Sequence, residues 1–114
     1  MDYSKLSDHE INKMVAISLG KDVMPDDCQD FGISGFPEVM LRSGDIKNYC
    51  NDASDAWPII QKNLLRVVPV SFIGKVNWVV SRDIHSNHDA NPLRAAMITF
   101  LMMQDSANVQ DNTA

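Results

Sequence analysis

Residues 91–104 read NPLRAAMITFLMMQ, and this stretch decides the fold because a helix so apolar must be covered on most of its sides. Asn91 before Pro92 predicts a helix start, since Asn caps the first turn and Pro at the first helical position loses no hydrogen bond. We interpret the segment as the central helix of the core, with packing against a partner as the alternative. Its apolar run of about 12 residues is shorter than the roughly 20 that cross a bilayer.

Two further helices are indicated earlier in the chain. Ser7 and Glu10 form an S-x-x-E capping box, and apolar residues at helical spacing predict an amphipathic helix over residues 8–19. A second helix is predicted from about Ser54 to about Asn63, provided that Pro58 lies in or near the first turn, where its missing amide costs little.

Strand signals separate these helices. Val-rich residues 65–72 and the alternating residues 76–81 predict two strands joined by a hairpin at Ile73-Gly74-Lys75. Pro69 marks the first of them as an edge or bulged strand. Weaker apolar runs indicate short strands at residues 31–36, 38–41 and 46–50.

The pattern as a whole predicts an α+β fold. We expect a small antiparallel sheet of three to five short strands packed with about three helices, the first and last elements being helical. At 114 residues the chain has the size of one domain. We assign that domain to residues 1–104 and a disordered polar tail to residues 105–114.

The charges are unevenly distributed along the chain. Residues 1–57 hold 11 acidic and 5 basic side chains, whereas residues 58–114 hold 4 and 5. The net charge of −5 argues against nucleic acid as a partner, because phosphate contacts need clustered Lys and Arg. Between Asp55 and Asp83, however, there is no acid, and this stretch contains Lys62, Arg66, Lys75 and Arg82. They would form a basic patch if the strands place them on one face, although an ordinary solvated sheet surface is the favoured interpretation.

Candidate metal ligands occur in residues 82–89, RDIHSNHD, which we predict to be a loop. Its Asp83, His85, His88 and Asp89 are residue types that bind Zn²⁺ and similar ions. No recognised zinc motif accompanies them, and a loop fixes no geometry, so a solvated loop is the favoured interpretation. The sequence contains no catalytic motif and indicates no cofactor.

The two cysteines suggest a reducing compartment. Cys28 and Cys50 show no C-x-x-C spacing, and the opening MDYSKLSD has neither the basic nor the apolar region of a secretory signal. We therefore expect a cytoplasmic protein with free thiols and no membrane association.

Three stretches are familiar together: residues 1–20, MDYSKLSDHEINKMVAISLG; residues 51–63, NDASDAWPIIQKN; and residues 91–104. They resemble the NinX-like family of small phage and prophage proteins and, more distantly, phage proteins with an α-β-α sandwich. The resemblance implies a protein with a small α+β fold that acts in the bacterial cytoplasm. It does not indicate a particular reaction. Its recognisable positions are explained by packing, with Trp57, Ile59 and Ile60 in the core.

The function predicted from the sequence is that of a non-enzymatic phage accessory protein that binds an unknown protein partner or a second copy of itself. The surface expected to serve it combines the last helix with the basic stretch; its residues are Arg94, Met97, Leu101, Met102, Lys62, Arg66, Lys75 and Arg82. Two alternatives remain open: a metal-dependent hydrolase using Asp83, His85, His88 and Asp89, and a nucleic-acid-associated modulator using residues 62–82.

Overall fold

The computed structural model describes residues 2–28 and 34–113, with side chains as far as Ala107. Within these residues the chain forms three α-helices and five β-strands, and the strands belong to two antiparallel sheets. In chain order they are α1 (Asp8–Ser18), β1 (Val39–Met40), β2 (Ile46–Lys47), α2 (Ala53–Lys62), β3 (Arg66–Phe72), β4 (Lys75–Arg82), β5 (His85–Asp89) and α3 (Pro92–Thr113). The predicted α+β fold with helices at both ends is confirmed.

Helix α1 starts as its capping box predicts. The Ser7 hydroxyl oxygen accepts a hydrogen bond of 3.1 Å from the backbone amide of Glu10. Ile11 and Val15 lie on the buried side, and Gly20 follows the helix with a φ of 77°, which a residue with a side chain rarely adopts.

Helix α2 departs from the prediction in two respects. Its cap is Asp52, whose carboxylate accepts a 2.9 Å bond from the amide of Ser54. Pro58 is therefore the sixth helical residue and lies in the second turn, where it removes one backbone hydrogen bond. Ile59 is buried as expected, but Trp57 is 57% exposed and does not belong to the core, because it projects away from the buried stripe of the helix.

The two-stranded sheet pairs Val39 with Lys47 and Met40 with Ile46. It confirms short strands within two of the predicted runs, and its Val39 side chain is fully buried. Residues 29–33 lie outside the described part of the chain, and so does the first half of the strand predicted at residues 31–36. The described half of that run, from Ser34 to Phe36, is turn and coil.

The three-stranded sheet has the order β3-β4-β5, with a two-residue turn at each end of β4. Ile73 and Gly74 connect β3 to β4 and both have positive φ, 50° and 72°, which defines a type I′ turn. Strand β5 occupies the segment that the sequence predicts to be a loop. That prediction is wrong because pairing with β4 outweighs the low strand propensity of its Ser, Asn and Asp residues.

One face of this sheet packs on α3. Val80 in β4 is fully buried, and Thr99 Oγ1 in α3 lies 3.2 Å from its carbonyl oxygen. Side chains alternate between the two faces of a strand, so the register places Val68, Val70 and Val79 on the side turned away from α3. We call this side the outer face.

Strand β3 is an edge strand, as Pro69 predicts. The Phe72–Lys75 pair next to the two-residue turn is hydrogen-bonded, and the alternation of an antiparallel ladder makes Pro69–Trp78 a non-hydrogen-bonded pair. The nitrogen of Pro69 therefore points to the free edge, where its missing proton breaks no ladder bond.

Helix α3 is the central element of the core. The Asn91 side chain accepts a bond of 2.9 Å from the amide of Leu93, which confirms the predicted cap. The helix continues to Thr113, beyond its predicted end at Gln104, and Asp105 accepts a hydrogen bond from the Tyr3 hydroxyl. The assignment of residues 105–114 to a separate tail stays a prediction.

Candidate interaction surface

The last helix does not offer the interaction surface expected of it. Met97 and Leu101 are buried against the other helices and the sheet, and Met102 packs against this core with partial exposure. The expected surface is wrong for Met97 and Leu101, because the domain itself covers the apolar sides of α3.

Arg94 is also engaged within the domain, with its side chain only 13% exposed. Its guanidinium lies 2.5 Å from a carboxylate oxygen of Asp8 and 3.2 Å from one of Asp89. It also donates to the carbonyl oxygens of Ser4 and Leu6, at 3.1 and 2.9 Å. One side chain thus joins the start of α1, the end of β5 and the first turn of α3.

Amide side chains extend this cluster toward Cys50. Asn51 donates to Asp8 at 3.1 Å and accepts from Asn91 at 3.0 Å, while Asn91 also donates to the Cys50 carbonyl at 2.7 Å. We call this cluster the Arg94 network; its members are Arg94, Asp8, Asp89, Asn51 and Asn91. The network joins all three stretches that carry the family resemblance. Its polar side chains find their hydrogen-bond partners within the domain.

Burial governs the chemistry of the adjacent thiol. Cys50 is fully buried, and its amide donates to the Asn12 side chain at 2.9 Å. Burial, together with the charges of Asp8 and Asp89, raises the pKa of the Cys50 thiol to about 12. A thiol in this state is neither a nucleophile nor a ready metal ligand at neutral pH.

The four basic residues of the central stretch do not form one patch. Arg66 and Lys75 share the outer face but lie near its opposite ends, about 20 Å apart along the strands. Arg82 points to the other face and donates to the Asn63 carbonyl at 3.2 Å. Lys62, at the end of α2, lines a separate cleft with Lys21 and Lys47.

The predicted metal ligands are also dispersed. His85 and His88 are three residues apart in β5 and therefore point to opposite faces of the sheet. Asp89 pairs with Arg94 and accepts from the Asn91 amide, and Asp83 is exposed in a turn. In residues 2–28 and 34–107, whose side chains the structure describes, no three His, Cys, Asp or Glu side chains come together in a group that could hold a metal ion.

The outer face carries an exposed apolar strip. Val68, Val70, Phe72 and Val79 lie on it, and Val70 is 44% exposed. A depression of about 400 Å³ is present here; its lining residues are Val70, Phe72, Lys75, Val76, Asn77, Val79, His88 and Ala90. A solvated sheet face normally carries polar residues, so this apolar strip is available for binding.

The turn between β3 and β4 extends this apolar strip beyond the sheet. Phe72 is 73% exposed and Ile73 is 84% exposed, and Val76 on the opposite face is more than half exposed. We call Phe72, Ile73 and the adjacent Lys75 the hairpin tip. Its two large apolar side chains make little contact with the domain.

The sequence contains a signal for an apolar outer face, although it does not follow the simple alternation of apolar and polar residues. Residues 67–70 read VVPV, so apolar residues occupy both odd and even positions of the strand. In a sheet with one face on a helix, such a run puts apolar side chains on the solvent side as well. Which valines would be buried depends on the register, which the sequence does not state.

The fold and this surface define a small α+β protein with a helix-covered three-stranded sheet whose second face carries an open apolar strip. The family model described as Bacteriophage P22, NinX matches residues 2–104, and the chain belongs to this family. It is thus a phage accessory protein. Neither a curated protein nor a solved structure matches the chain. None of the helices in the described ranges has the length and hydropathy needed to span a bilayer.

Proposed function

We propose that this accessory protein acts by binding another protein through the outer face of its three-stranded sheet. The observation that carries the proposal is the exposure of Val70 and Phe72 on a face that also contains Val68 and Val79. Their burial against a partner would remove apolar surface from water, which is the main driving force of protein association.

The other surfaces support this choice by contrast. The Arg94 network satisfies its own donors and acceptors, and the core uses the apolar sides of α3. Binding energy at protein interfaces is concentrated in a few large side chains, with aromatic residues enriched among them. Phe72 is such a side chain, and it is exposed in the free protein.

The test is affinity capture from phage-infected cells, followed by binding of the captured protein in purified form. The double variant Val70→Asn, Phe72→Ser makes the outer face polar while leaving the buried face unchanged. We expect it to bind the purified partner at least about tenfold more weakly than the wild-type chain.

The matched control is Ile84→Ser, which removes an apolar side chain that is even more exposed than Val70 and Phe72 from the other turn of the same sheet. It should bind the partner as the wild-type protein does. Circular dichroism and thermal unfolding verify that each variant is folded. A partner that binds the double variant and the wild type equally would contradict the proposal.

A further inference from the structure

The hairpin tip has a backbone conformation that its sequence does not favour. Ile73 has a φ of 50°, in the left-handed region that β-branched residues rarely adopt. The type I′ turn it forms with Gly74 is normally built from Asn-Gly or Asp-Gly, which enter this region easily. The turn would therefore form more readily with a different residue at position 73.

Folding does not explain the choice of isoleucine at this position. The Ile73 side chain is 84% exposed and Phe72 beside it is 73% exposed, so the domain gains little from either. Unfavourable backbone conformations persist mainly where the side chain serves a function. Two adjacent apolar residues projecting from a tight turn have the form of an anchor that enters a pocket.

The charges around the anchor indicate the chemistry of that pocket. Lys75 follows the turn directly and is exposed, and Arg66 lies at the far end of the same face. The chain has no carboxylate between Asp55 and Asp83, so β3 and β4 contribute none to the outer face. Complementary charge on a partner would therefore be negative.

We propose, building on the function proposed above, that the hairpin tip inserts into an apolar pocket of a protein partner whose rim carries carboxylates. Phe72 and Ile73 fill the pocket, and Lys75 pairs with the acidic rim. A second copy that met the tip with its own outer face would fit poorly, because that face brings further cations toward Lys75 and no carboxylate from β3 or β4.

The probe is a displayed library of random peptides, selected for binding to the purified full chain. We expect the enriched peptides to combine aromatic or aliphatic residues with Asp and Glu. Synthetic versions should bind the Ile73→Asn and Phe72→Ser variants at least about tenfold more weakly than the wild type, while the Ile84→Ser control retains its affinity.

The Lys75→Glu variant tests the charge directly. The same selection against it should enrich Lys and Arg in place of Asp and Glu, and the acidic peptides should lose at least about tenfold in affinity. The Ile73→Asn variant relieves an unfavourable turn, so a loss of binding by that variant reflects the missing side chain and not unfolding.

Several results would overturn the inference. They are no enrichment over a selection without protein, enriched peptides that lack acidic residues, and peptides that bind Phe72→Ser like the wild type. Light scattering that shows a dimer dissociated by Phe72→Ser would identify a second copy as the occupant. Binding of phosphatidylglycerol vesicles or a single-stranded oligonucleotide, lost in Lys75→Glu, would identify a phosphate-bearing ligand.

The same variants separate this inference from the proposed function. A captured partner that is lost with Val70→Asn, Phe72→Ser but retained by Ile73→Asn and Lys75→Glu would leave the outer face as the binding surface and exclude Ile73 and Lys75 as its anchor. A captured partner that binds all these variants as tightly as the wild type would contradict both the proposed function and the role of the hairpin tip.

Discussion

The Arg94 network and the hairpin tip reverse the usual distribution of polar and apolar groups. In the network, a guanidinium and two carboxylates are largely withdrawn from solvent and bonded to one another. At the tip, Phe72 and Ile73 are exposed to solvent and make little contact with the domain. The charged residues of the first region hold the fold together, and the apolar residues of the second are free to bind.

The comparison separates family resemblance from candidate function. Apart from Asp89, the network lies within the three stretches by which the sequence resembles NinX-like proteins, and its hydrogen bonds account for Asp8, Asn51, Asn91 and Arg94 structurally. The hairpin tip lies between the second and third of those stretches. Residues that identify a family can therefore report its fold, while the binding surface that we propose lies on the strands between them.

The largest expected effect concerns the reactivity of the thiol that lies beside the Arg94 network. Cys28 is exposed, whereas Cys50 is buried beside the network with a raised pKa. Labelling with a disulfide reagent at pH 8 should modify Cys28 rapidly and Cys50 at least about a thousandfold more slowly, because Cys50 must wait for the domain to open. The Cys28→Ser variant should show no rapid phase. Two rapidly reacting thiols in the wild type would mean that the network is open in solution.

Removal of the central cation should be the most destabilising of the single substitutions considered. Arg94→Ala leaves Asp8 and Asp89 without their partner, and we expect it to lower the free energy of unfolding by about 3 kcal/mol in urea titrations. Arg94→Lys keeps the positive charge but lacks the planar guanidinium, so it should lower the free energy of unfolding by less. Lys75→Ala at the hairpin tip is the control, and its free energy of unfolding should lie within about 0.5 kcal/mol of the wild-type value. A loss below about 1 kcal/mol for Arg94→Ala would contradict the structural role of the network.

The contact between Tyr3 and Asp105 predicts a pH effect in the alkaline range. Burial raises the pKa of the Tyr3 hydroxyl above its usual value near 10, and the hydrogen bond to Asp105 and the charge of that carboxylate add to the effect. The contribution to stability is fully present below pH 10 and is lost as pH rises through the higher pKa of the folded state.

The variant Tyr3→Phe isolates this contribution. It should lower the free energy of unfolding by about 1 kcal/mol at pH 8 and should flatten the decline in stability above pH 10. Parallel pH profiles for Tyr3→Phe and the wild type would show that the Tyr3–Asp105 contact does not form in solution.

The smallest expected effect has the opposite sign and belongs to the hairpin tip. Ile73→Asn replaces a β-branched residue at positive φ with one that tolerates it, and should raise the free energy of unfolding by about 0.5 to 1 kcal/mol. Ile84→Asn is the control, because Ile84 is equally exposed but does not have a positive φ. Destabilisation by Ile73→Asn would indicate that the side chain contributes to the fold after all.

The elements that could be predicted from sequence are those with local signals. The Ser7–Glu10 capping box and the Asn91-Pro92 start depend on hydrogen bonds within one turn, so both helix starts are correct. The β3–β4 hairpin follows from alternation and from Gly74. Helix α3 continues beyond Gln104, where the polar residues include neither Gly nor Pro to stop a helix, and the assignment of residues 105–114 to a separate tail stays a prediction.

The remaining features depend on contacts between distant residues. Strand β5 has a polar sequence and forms because β4 supplies its hydrogen bonds. Trp57 is exposed because the buried stripe of α2 passes through Ala56 and Ile60, a choice that helical spacing alone leaves open. The outer face depends on the register of β3, so the candidate site was not predictable beyond Lys75 and Arg66.

Pro69 has a consequence for solubility. A strand edge beside exposed valines and a phenylalanine is a template on which further copies could add strand by strand, which is the route to fibrils. A proline in the middle of that edge removes the donor that an incoming strand would need. Pro69 thus opposes polymerisation through this edge, and Pro69→Thr would be expected to aggregate while folding normally.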